Sequence, residues 1–408
     1  MTSTRAMTAL ALGGFGIGTT EFATMGLLPQ IAETFGIPDY EAGHAISLYA
    51  AGVVVGAPLI AVLGAKLPRK GMLISLMMAV ALGNGLSAIA QDKTLLLVAR
   101  FVAGLPHGAF FGIAAVVATM LVAPERRGTA VARVMVGLTL ANLVGVPLAT
   151  AAGQQIGWRT AYLAVAVMAV ATAAAIAAWV PKVAKVEGAS MQAEVRAFGR
   201  PTVWFAIFTG MIGFGGMFAV YSYVAPLTTE VAGLPGGVVP WVLAVFGLGM
   251  TLGATFGGRF VDRSVTGSVF GGLIAVCVIL VLFGFTATMP VFLFVLLGLL
   301  GFVVQILAAA LQVRLMDASP DAPALAASSN HSSLNLANGA GAWLGGLAIA
   351  AGWGYTSTAW VGVGLSVAGL VIAVASVLYE RRAFTRETAN HTIAMTSAAS
   401  TTVETQPR

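Results

Sequence analysis

The chain has 408 residues, of which 58% are hydrophobic and only 9% are charged, and its formal net charge is +6. Soluble domains carry charge on about a quarter of their residues, so there is too little polar surface here to cover a water-soluble globule. The composition excludes a soluble protein and indicates an integral membrane protein. The basic residues lie in short loops between apolar runs, which is typical of membrane topology and argues against a nucleic-acid partner.

The start of the chain, MTSTRAMTALALGG, must first be distinguished from a signal peptide. Its apolar stretch is longer than a typical signal core and contains Glu21 and Pro29, so we interpret it as a retained first span. The one cysteine, Cys277, lies in an apolar run, and the four histidines are scattered. We therefore expect no disulfide within the chain, no metal site and no cofactor.

Long apolar runs follow along the whole chain. A bilayer core about 30 Å thick requires roughly 20 apolar residues of helix. Runs free of Lys, Arg, Asp and Glu occupy 42–65, 71–91, 101–124, 134–158, 160–181, 201–229, 231–258, 264–313 and 322–379. The last two are long enough for two spans each, and the turn residues of TATMP (286–290) and GWGYTST (352–358) divide them. With the first span, the sequence predicts twelve transmembrane helices, because the bilayer requires internally hydrogen-bonded backbone.

Lysine and arginine orient these spans. If both termini are cytoplasmic, all 21 basic residues except Lys93, Arg100 and Arg159 fall in cytoplasmic loops and tails. The stretch 181–200 is the longest polar interruption, and we expect it to be a cytoplasmic linker between a bundle at 1–180 and a bundle at 201–383. The tail 384–408 lacks apolar periodicity and is expected to be a disordered cytoplasmic tail.

The two halves of the chain contain matching segments. LTLANLVG (138–145) matches LNLANGAG (334–341) at an offset of 196, and GVVVGAP (52–58) matches GMTLGAT (249–255) at an offset of 197. Two matches in equivalent spans at nearly one offset indicate a duplication. A parallel repeat of six spans predicts two bundles around an axis normal to the membrane.

Five stretches carry a family resemblance. They are TTEFATMGLLPQIA (19–32), YAAGVVVGAPL (49–59), LVARFVAGLPHGAFFG (97–112), ANLVGVPLATAAGQQIGWR (141–159) and GGRFVDR (257–263). Together they resemble the major facilitator superfamily, specifically drug:proton antiporters of the bacterial sugar-efflux and chloramphenicol-resistance type. The resemblance implies an all-α integral membrane fold of twelve helices, in two six-helix bundles related by a pseudo-twofold axis along the membrane normal. Spans 1, 4, 7 and 10 would then line a central cavity.

The family's signature between spans 2 and 3, G-x-L-x-D-R-x-G-R-K, implies a lock between the halves on the cytoplasmic side. The first-half loop keeps the closing basic pair, Arg69 and Lys70, but lacks the signature's glycines and aspartate. The equivalent second-half loop keeps more of the pattern, at Gly258, Asp262 and Arg263. The resemblance therefore makes the second-half loop the better candidate for the cytoplasmic gate.

Two further signatures concern helix packing and antiport. Span 4 matches R-x-x-x-G-x-x-x-G, beginning at Arg100, and span 5 resembles the antiporter signature except that Val146 replaces a glycine. Antiport is thus implied by the resemblance alone. The residues assigned to these motifs are Gly104, Gly108, Asn142, Gly145 and Pro147.

One carboxylate, Glu21, lies inside the apolar first span. A charge at the bilayer centre costs at least about 2.5–3.5 kcal/mol, so such a residue tends to be paired, to line a water-filled cavity or to be protonated. Counting the helix rise from the span ends places Glu21 at a depth between Arg100 and His107, which share one face of span 4. We hypothesise that Glu21 exchanges a proton and that Arg100 and His107 set its proton affinity. Three structural alternatives stay open: a neutral packed carboxyl, an arginine tied to backbone carbonyls, and a packing histidine.

A second set of residues is predicted to line the substrate cavity. They are Phe15, Phe22, Phe111, Tyr221, Gln305, His331 and Asn335. Aromatic faces with sparse hydrogen-bonding groups suit a moderately apolar or sugar-like solute. The alternatives are that the aromatic side chains pack between helices and that the polar span 11 hydrogen-bonds its neighbours.

The sequence contains no Walker motif, so an ion gradient is the expected energy source. The resemblance implies a proton-coupled exporter of drugs or sugar derivatives that works as a monomer in the bacterial inner membrane. Its partners would be a small solute, protons and the lipid bilayer. A uniporter or proton-symport importer of the same fold is the main alternative. We do not expect a membrane-embedded enzyme, because the sequence shows no catalytic set such as HExxH, nor a sensor or scaffold, because it shows no soluble output domain.

Overall fold

The computed structural model describes the backbone of residues 2–64, 67–123, 127–182, 199–318 and 323–403, and every regular element in these ranges is a helix. Six long helices form the first half of the chain. They are α1 (Thr2–Gly26), α2 (His44–Gly64), α3 (Arg69–Ala88), α4 (Lys93–Gly104 with His107–Met120), α5 (Arg127–Leu140, Ala141–Gly145 and Val146–Ile156) and α6 (Trp158–Trp179). Two short helices, Leu28–Phe35 and Asp39–Ala42, connect α1 to α2.

Six long helices also form the second half. They are α7 (Pro201–Gly213 with Gly215–Tyr221), α8 (Val239–Arg263), α9 (Val265–Thr286), α10 (Pro290–Ala318), α11 (Pro323–Ala348) and α12 (Ser357–Val403). The short helical turns Val224–Pro226, Leu227–Val231 and Gly236–Val238 connect α7 to α8, and Ile349–Trp353 follows α11.

These helices agree with the twelve predicted spans. Within the described residues, nine helices are long and apolar enough to cross a membrane by length and composition. The other three, α1, α2 and α11, have 25, 21 and 26 residues, which at 1.5 Å per residue is about 30 Å or more. The two long apolar runs divide where the turn residues predict, after Thr286 and between Ala348 and Ser357.

Proline and glycine set the local breaks in the first half. Pro106, which has no backbone N–H, lies between the two segments of α4. In α5, Pro147 follows the π-helical turn Ala141–Gly145, where the backbone hydrogen bonds shift register. Gly157 has a φ of 113°, which a glycine adopts readily, and it allows the tight turn from α5 into α6.

The internal repeat is visible in the helix packing. A side chain on Gly52 of α2 would collide with the carbonyl of Phe101 in α4, and one on Gly249 of α8 would collide with the carbonyl of Gly298 in α10. Gly249 lies 197 residues after Gly52, and Gly298 lies 197 residues after Phe101, which is the offset of the sequence repeat. The same offset relates Gly56–Leu105 to Gly253–Phe302 and Gly104–Tyr49 to Gly301–Phe246. Small residues therefore bring α2 against α4 and α8 against α10 in the same way.

The last helix extends into the predicted tail at 384–408, whose disorder stays a prediction. The helix α12 continues to Val403. No Gly or Pro interrupts the sequence between Leu370 and Gln406, so nothing in it terminates the helix earlier. Residues 404–408 lie outside the described ranges, as do residues 183–198 of the predicted linker. The division at 180 and 201 stays a prediction.

Hydrogen bonds between the two halves cluster at one end of the bundle. We call the end at which α1 begins the N-terminal face and the other end the opposite face. Three hydrogen bonds cross between the halves near the opposite face: Ser47 Oγ to the Gly339 carbonyl (3.1 Å), Gln154 Nε2 to the Gly236 carbonyl (3.0 Å) and Tyr355 Oη to Asp39 Oδ2 (2.9 Å). The opposite face is therefore closed.

Candidate functional site

A cavity of about 290 Å³ lies between the two halves. Its wall comes from α1, α4 and α5 of the first half and from α7, α8, α10 and α11 of the second. Met135, Gln312 and Asn330 lie in the helix ends nearest the N-terminal face, so the cavity extends toward that face. The predicted site residues that line it are Glu21, Phe22, His107, Gln305, His331 and Asn335.

Glu21 is buried, with 6% of its surface exposed, and it lies in the wall of this cavity. Its carboxylate is within electrostatic range of the Arg100 guanidinium and lies beside the Asn338 amide of α11. In the part of the chain that the structure describes, no ion pair joins Glu21 to Arg100. The carboxylate thus has a cation nearby without being neutralised by direct contact.

Arg100 is held by the residue that precedes Glu21. Its two terminal nitrogens donate to the hydroxyl of Thr20 at 2.8 Å and to the Thr20 carbonyl at 2.9 Å. The guanidinium also lies between two aromatic rings, 4.4 Å from the centroid of Tyr49 and 5.0 Å from that of Tyr162. Rings at these distances stabilise a desolvated cation. The arginine is therefore tied to a backbone carbonyl, one of the alternatives that the sequence left open, and it is also adjacent to Glu21.

Tyr49 connects Arg100 to His107. Its hydroxyl is 3.0 Å from Nδ1 of His107, while its ring covers Arg100. Tyr49 is not among the site residues predicted from the sequence, and neither are Thr20 and Asn84, whose side-chain oxygen accepts from the Thr20 hydroxyl. The signal available for Tyr49 is a tyrosine inside an apolar run, three residues before Gly52, a glycine that lies against α4. Arg100 and His107 do share one face of α4, since both contact Tyr49.

An aromatic ladder joins the halves beside the cavity. The rings of His107 and Phe111 have centroids 5.3 Å apart, and Phe111 stacks on His331 of α11 at 5.4 Å with an interplanar angle of 3°. Phe111 is buried in this ladder, with 1% of its surface exposed. Two histidines, one from each half, therefore contact the same phenylalanine.

A second aromatic cluster lies at the contact of α1 with α7 and α8. Phe22 stacks on Phe218 with centroids 6.3 Å apart and meets the edge of Tyr221 at 5.9 Å. Tyr221 in turn stacks on Phe246 at 4.1 Å and is fully buried. Phe15, the remaining predicted cavity residue, packs against Gly145 between α1 and α5. Phe15 and Tyr221 thus lie in helix contacts rather than in the described cavity wall.

The motif residues lie mostly in helix packing. Gly104 and Gly108 of α4 face Tyr49 and Ala57 of α2, and Gly145 faces Thr19 of α1. The side-chain amide of Asn142 donates to the Leu138 carbonyl at 3.1 Å within α5, and Pro147 begins the last segment of that helix.

In the described parts of the chain, no hydrogen bond or ion pair of the predicted gate residues joins the halves. Lys70 donates to the Ala177 carbonyl at 2.7 Å, within the first half, and Arg69 lies 3.9 Å from the sulfur of Met72. Gly258, Asp262 and Arg263 are exposed at the end of α8. Among the described residues, neither Asp262 nor Arg263 makes a hydrogen bond or an ion pair. Their role as a gate stays a prediction.

Comparison with known proteins decides the family. Residues 10–267 match the family model described as Major Facilitator Superfamily. The chain belongs to the major facilitator superfamily. As a major facilitator protein, it is a membrane transporter of small molecules, and the resemblance seen in the sequence is confirmed.

Three relatives cover much or most of this major facilitator chain. It is 38% identical over 364 residues to "Inner membrane transport protein YdhP" of Escherichia coli, covering 89% of this chain and 93% of the relative. It is 32% identical over 244 residues to "Chloramphenicol resistance protein" of Streptomyces lividans, covering 59% and 62%. It is 28% identical over 337 residues to "Probable sugar efflux transporter" of Pasteurella multocida, covering 82% and 83%.

Proposed function

We propose that this transporter is a proton-coupled exporter of small solutes in the bacterial inner membrane, with its N-terminal face in the cytoplasm. The observation that carries the proposal is Glu21, the one carboxylate among the described residues that line the cavity. An ionisable group inside a membrane protein is a candidate for proton exchange by default, because its ionised form is costly there.

The surroundings of Glu21 suit a group that both binds and releases a proton. Burial favours the protonated form, and the neighbouring charge of Arg100 favours the ionised form. Because Arg100 donates to Thr20 rather than to Glu21, it supplies positive potential without locking the carboxylate in an ion pair. Water entering or leaving the cavity as the halves move can then change the balance between the two forms.

The direction of access follows from the closed opposite face. The distribution of lysine and arginine favours a cytoplasmic N-terminal face, so the cavity would be reached from the cytoplasm. A solute entering from that side would compete with the proton on Glu21. Closure of the N-terminal face and opening of the opposite face would then expose the solute to the outside, which is alternating access in an exporter.

The cavity suits a moderately apolar solute with a few hydrogen-bonding groups. Phe22, Phe218, Met217 and Met250 give it apolar walls, and Gln305 adds an amide. Its volume is at the lower end of the range for small-molecule sites, which is about 300–1,000 Å³. The names of two relatives, one for chloramphenicol resistance and one for sugar efflux, support a drug-like solute or a sugar derivative.

A uniporter or proton-symport importer of the same fold is the second candidate. The observation that favours it is Val146, which stands where the antiporter signature has a glycine. An antiporter requires solute and proton to move in opposite directions, whereas a uniporter would only equilibrate the solute.

Reconstitution into liposomes tests the proposal. The lumen is made acidic, and labelled chloramphenicol and a labelled disaccharide serve as probes. An antiporter accumulates a probe in the lumen against its gradient as protons leave, and Glu21→Gln abolishes the accumulation. Glu33→Gln, at an exposed carboxylate near the opposite face, is the matched control and should retain it. Equal proton-driven accumulation in Glu21→Gln would contradict the proposal.

A further inference from the structure

Asn338 of α11 is a buried amide that makes no fully formed hydrogen bond among the described residues. Its surface is fully buried, and neither its side-chain oxygen nor its side-chain nitrogen is in hydrogen-bond geometry with any group that the structure describes. Buried polar groups in native proteins nearly always have a partner, so an exception requires an explanation. The neighbour that offers one is the Glu21 carboxylate, which lies beside this amide across the interface between the halves.

The groups that face Glu21 come from several helices. Arg100 of α4, Tyr49 of α2 and Tyr221 of α7 lie within its electrostatic range. His107 of α4 and His331 of α11 line the same cavity. Arg100 is committed to Thr20, and Tyr49 lies between Arg100 and His107. Among these groups, Asn338 and the Tyr221 hydroxyl have polar atoms without a hydrogen-bond partner in the described residues, and Asn338 is the one whose side chain lies beside the carboxylate, with an NH₂ donor and a carbonyl acceptor.

An amide can serve both protonation states of a carboxyl group. Its NH₂ group donates to a carboxylate, and its oxygen accepts from the O–H of a carboxylic acid. Exchange between the two requires only a rotation of the side-chain amide. The bond to the charged form is the stronger one, because charge-assisted hydrogen bonds are roughly twice as strong as neutral ones.

The residue next to Asn338 anchors α11 on the first half. The carbonyl of Gly339 accepts a hydrogen bond of 3.1 Å from Ser47 of α2. A side chain on Gly339 would lie 3.1 Å from the Cβ atom of Ala50 on the same helix, which is tighter than an ordinary contact. The amide beside Glu21 is therefore adjacent in sequence to a close contact that holds the halves together.

We infer that Asn338 is a positioning residue for proton exchange: it donates to ionised Glu21 and accepts from protonated Glu21, so that α11 of the second half responds to a charge on the first. This inference rests on the proposed function of Glu21. Asn338 is the residue through which protonation of Glu21 in the first half changes a hydrogen bond at the interface with the second half.

The internal repeat supplies a matched control. At the offset of 196, Asn338 corresponds to Asn142 of α5, which is also fully buried and also has a side-chain oxygen without a partner. The Asn142 amide donates to Leu138 within its own helix. Asn142→Leu therefore removes a buried amide of the same kind at the equivalent position without removing the group beside Glu21.

Infrared spectroscopy of the purified full-length protein in nanodiscs, titrated with pH, tests the inference without a known solute. The protonated-carboxyl band that disappears in Glu21→Gln reports the proton on Glu21. In Asn338→Leu, a change of similar volume, we expect its midpoint to move to higher pH by about one unit, since a hydrogen bond to the ionised form is lost. Asn142→Leu should leave the midpoint unchanged. Asn338→Ser keeps a small donor and acceptor, so it should shift the midpoint of the Glu21 band less than Asn338→Leu does. This second variant also tests the inference if Asn338→Leu does not fold.

The outcomes separate the inference from the proposed function. A midpoint in Asn338→Leu equal to that of the native protein overturns the inference alone, as do equal shifts in Asn338→Leu and Asn142→Leu. If the native protein shows no titrating band that is sensitive to Glu21→Gln, the proposed function and the inference are both overturned.

Discussion

The hydroxyl of Tyr355 donates a 2.9 Å hydrogen bond to Oδ2 of Asp39, and this bond crosses from the second half to the first outside the membrane spans. Burial raises the pKa of Asp39 above its ordinary value, the bond from Tyr355 opposes that shift, and the nearby charge of Glu230 adds to it. When the opposite face opens, water reaches the carboxyl group and the shift is relieved. The closed form therefore binds this proton more tightly than the open form.

The sign of the pH effect follows from that difference. Below the ordinary pKa of an aspartate both forms are protonated, and Asp39 does not disfavour closure. As the pH rises through the raised pKa, ionisation in the buried position destabilises the closed form. We expect the opposite face to open more as the pH rises in the native protein. In Asp39→Asn, the part of this pH dependence that comes from Asp39 should be lost. Spin labels at exposed Glu33 and Trp353, one in each half, measure the opening as an increase in the distance between them. If Asp39→Asn opens with the same pH dependence as the native protein, the predicted role of Asp39 is contradicted.

Removing one hydroxyl tests the link from Tyr49 to His107. Tyr49→Phe keeps the ring over Arg100 but loses the contact of 3.0 Å with Nδ1 of His107. A buried hydrogen bond contributes about 1 kcal/mol, so thermal unfolding should show a loss of that order. Tyr162→Phe is the control, because it also keeps a ring near Arg100 and loses a buried bond, to Thr24. We expect both variants to lose similar stability and only Tyr49→Phe to lose proton-driven transport.

Arg100→Lys should be a severe change despite its conserved charge. The guanidinium donates to both the hydroxyl and the carbonyl of Thr20 and lies between two rings. A lysine ammonium cannot reproduce that planar pair of donors. Hydrogen bonds of charged groups contribute about 1.5–3 kcal/mol, so a stability loss in that range is expected in denaturant titrations. Retained stability together with retained transport would show that the Thr20 contacts are dispensable.

Close packing of α4 against α2 predicts a difference between two glycines of one helical span. A side chain on Gly104 would collide with the backbone of Tyr49, whereas one on Gly112 would enter open space. Gly112→Ala should be neutral or should stabilise the helix by up to about 1 kcal/mol. Gly104→Ala should lower the melting temperature, because the backbone of α2 must move. Equal melting temperatures for the two variants would argue against this contact.

The sequence could predict the fold because its strongest signals are local. Apolar runs mark the spans, and turn residues mark the breaks near Thr286 and Gly352. Glu21 and Arg100 could be found because a charge is conspicuous in an apolar run. Their companions Tyr49 and Thr20 were missed, because neutral polar residues are common in such runs and their contacts join helices far apart in the chain.

Other features depend on conformation rather than on sequence pattern. A protein that alternates between two arrangements uses one sequence for both, so no pattern indicates that the opposite face is the closed one. The same holds for Phe111 and Tyr221, which the sequence places on cavity-lining spans but which lie in stacks with His331 and Phe246. Whether an aromatic residue faces a cavity or a neighbouring ring depends on side-chain packing between distant helices.

Proton release on solute binding tests the central claim most directly. Purified protein in weakly buffered detergent solution is mixed with a transported solute, and a pH indicator measures the protons released per protein. If Glu21 is the group that exchanges solute for proton, the native protein releases a proton and Glu21→Gln, which still binds the solute, releases none. Undiminished release from Glu21→Gln would contradict the account and assign the proton to another group.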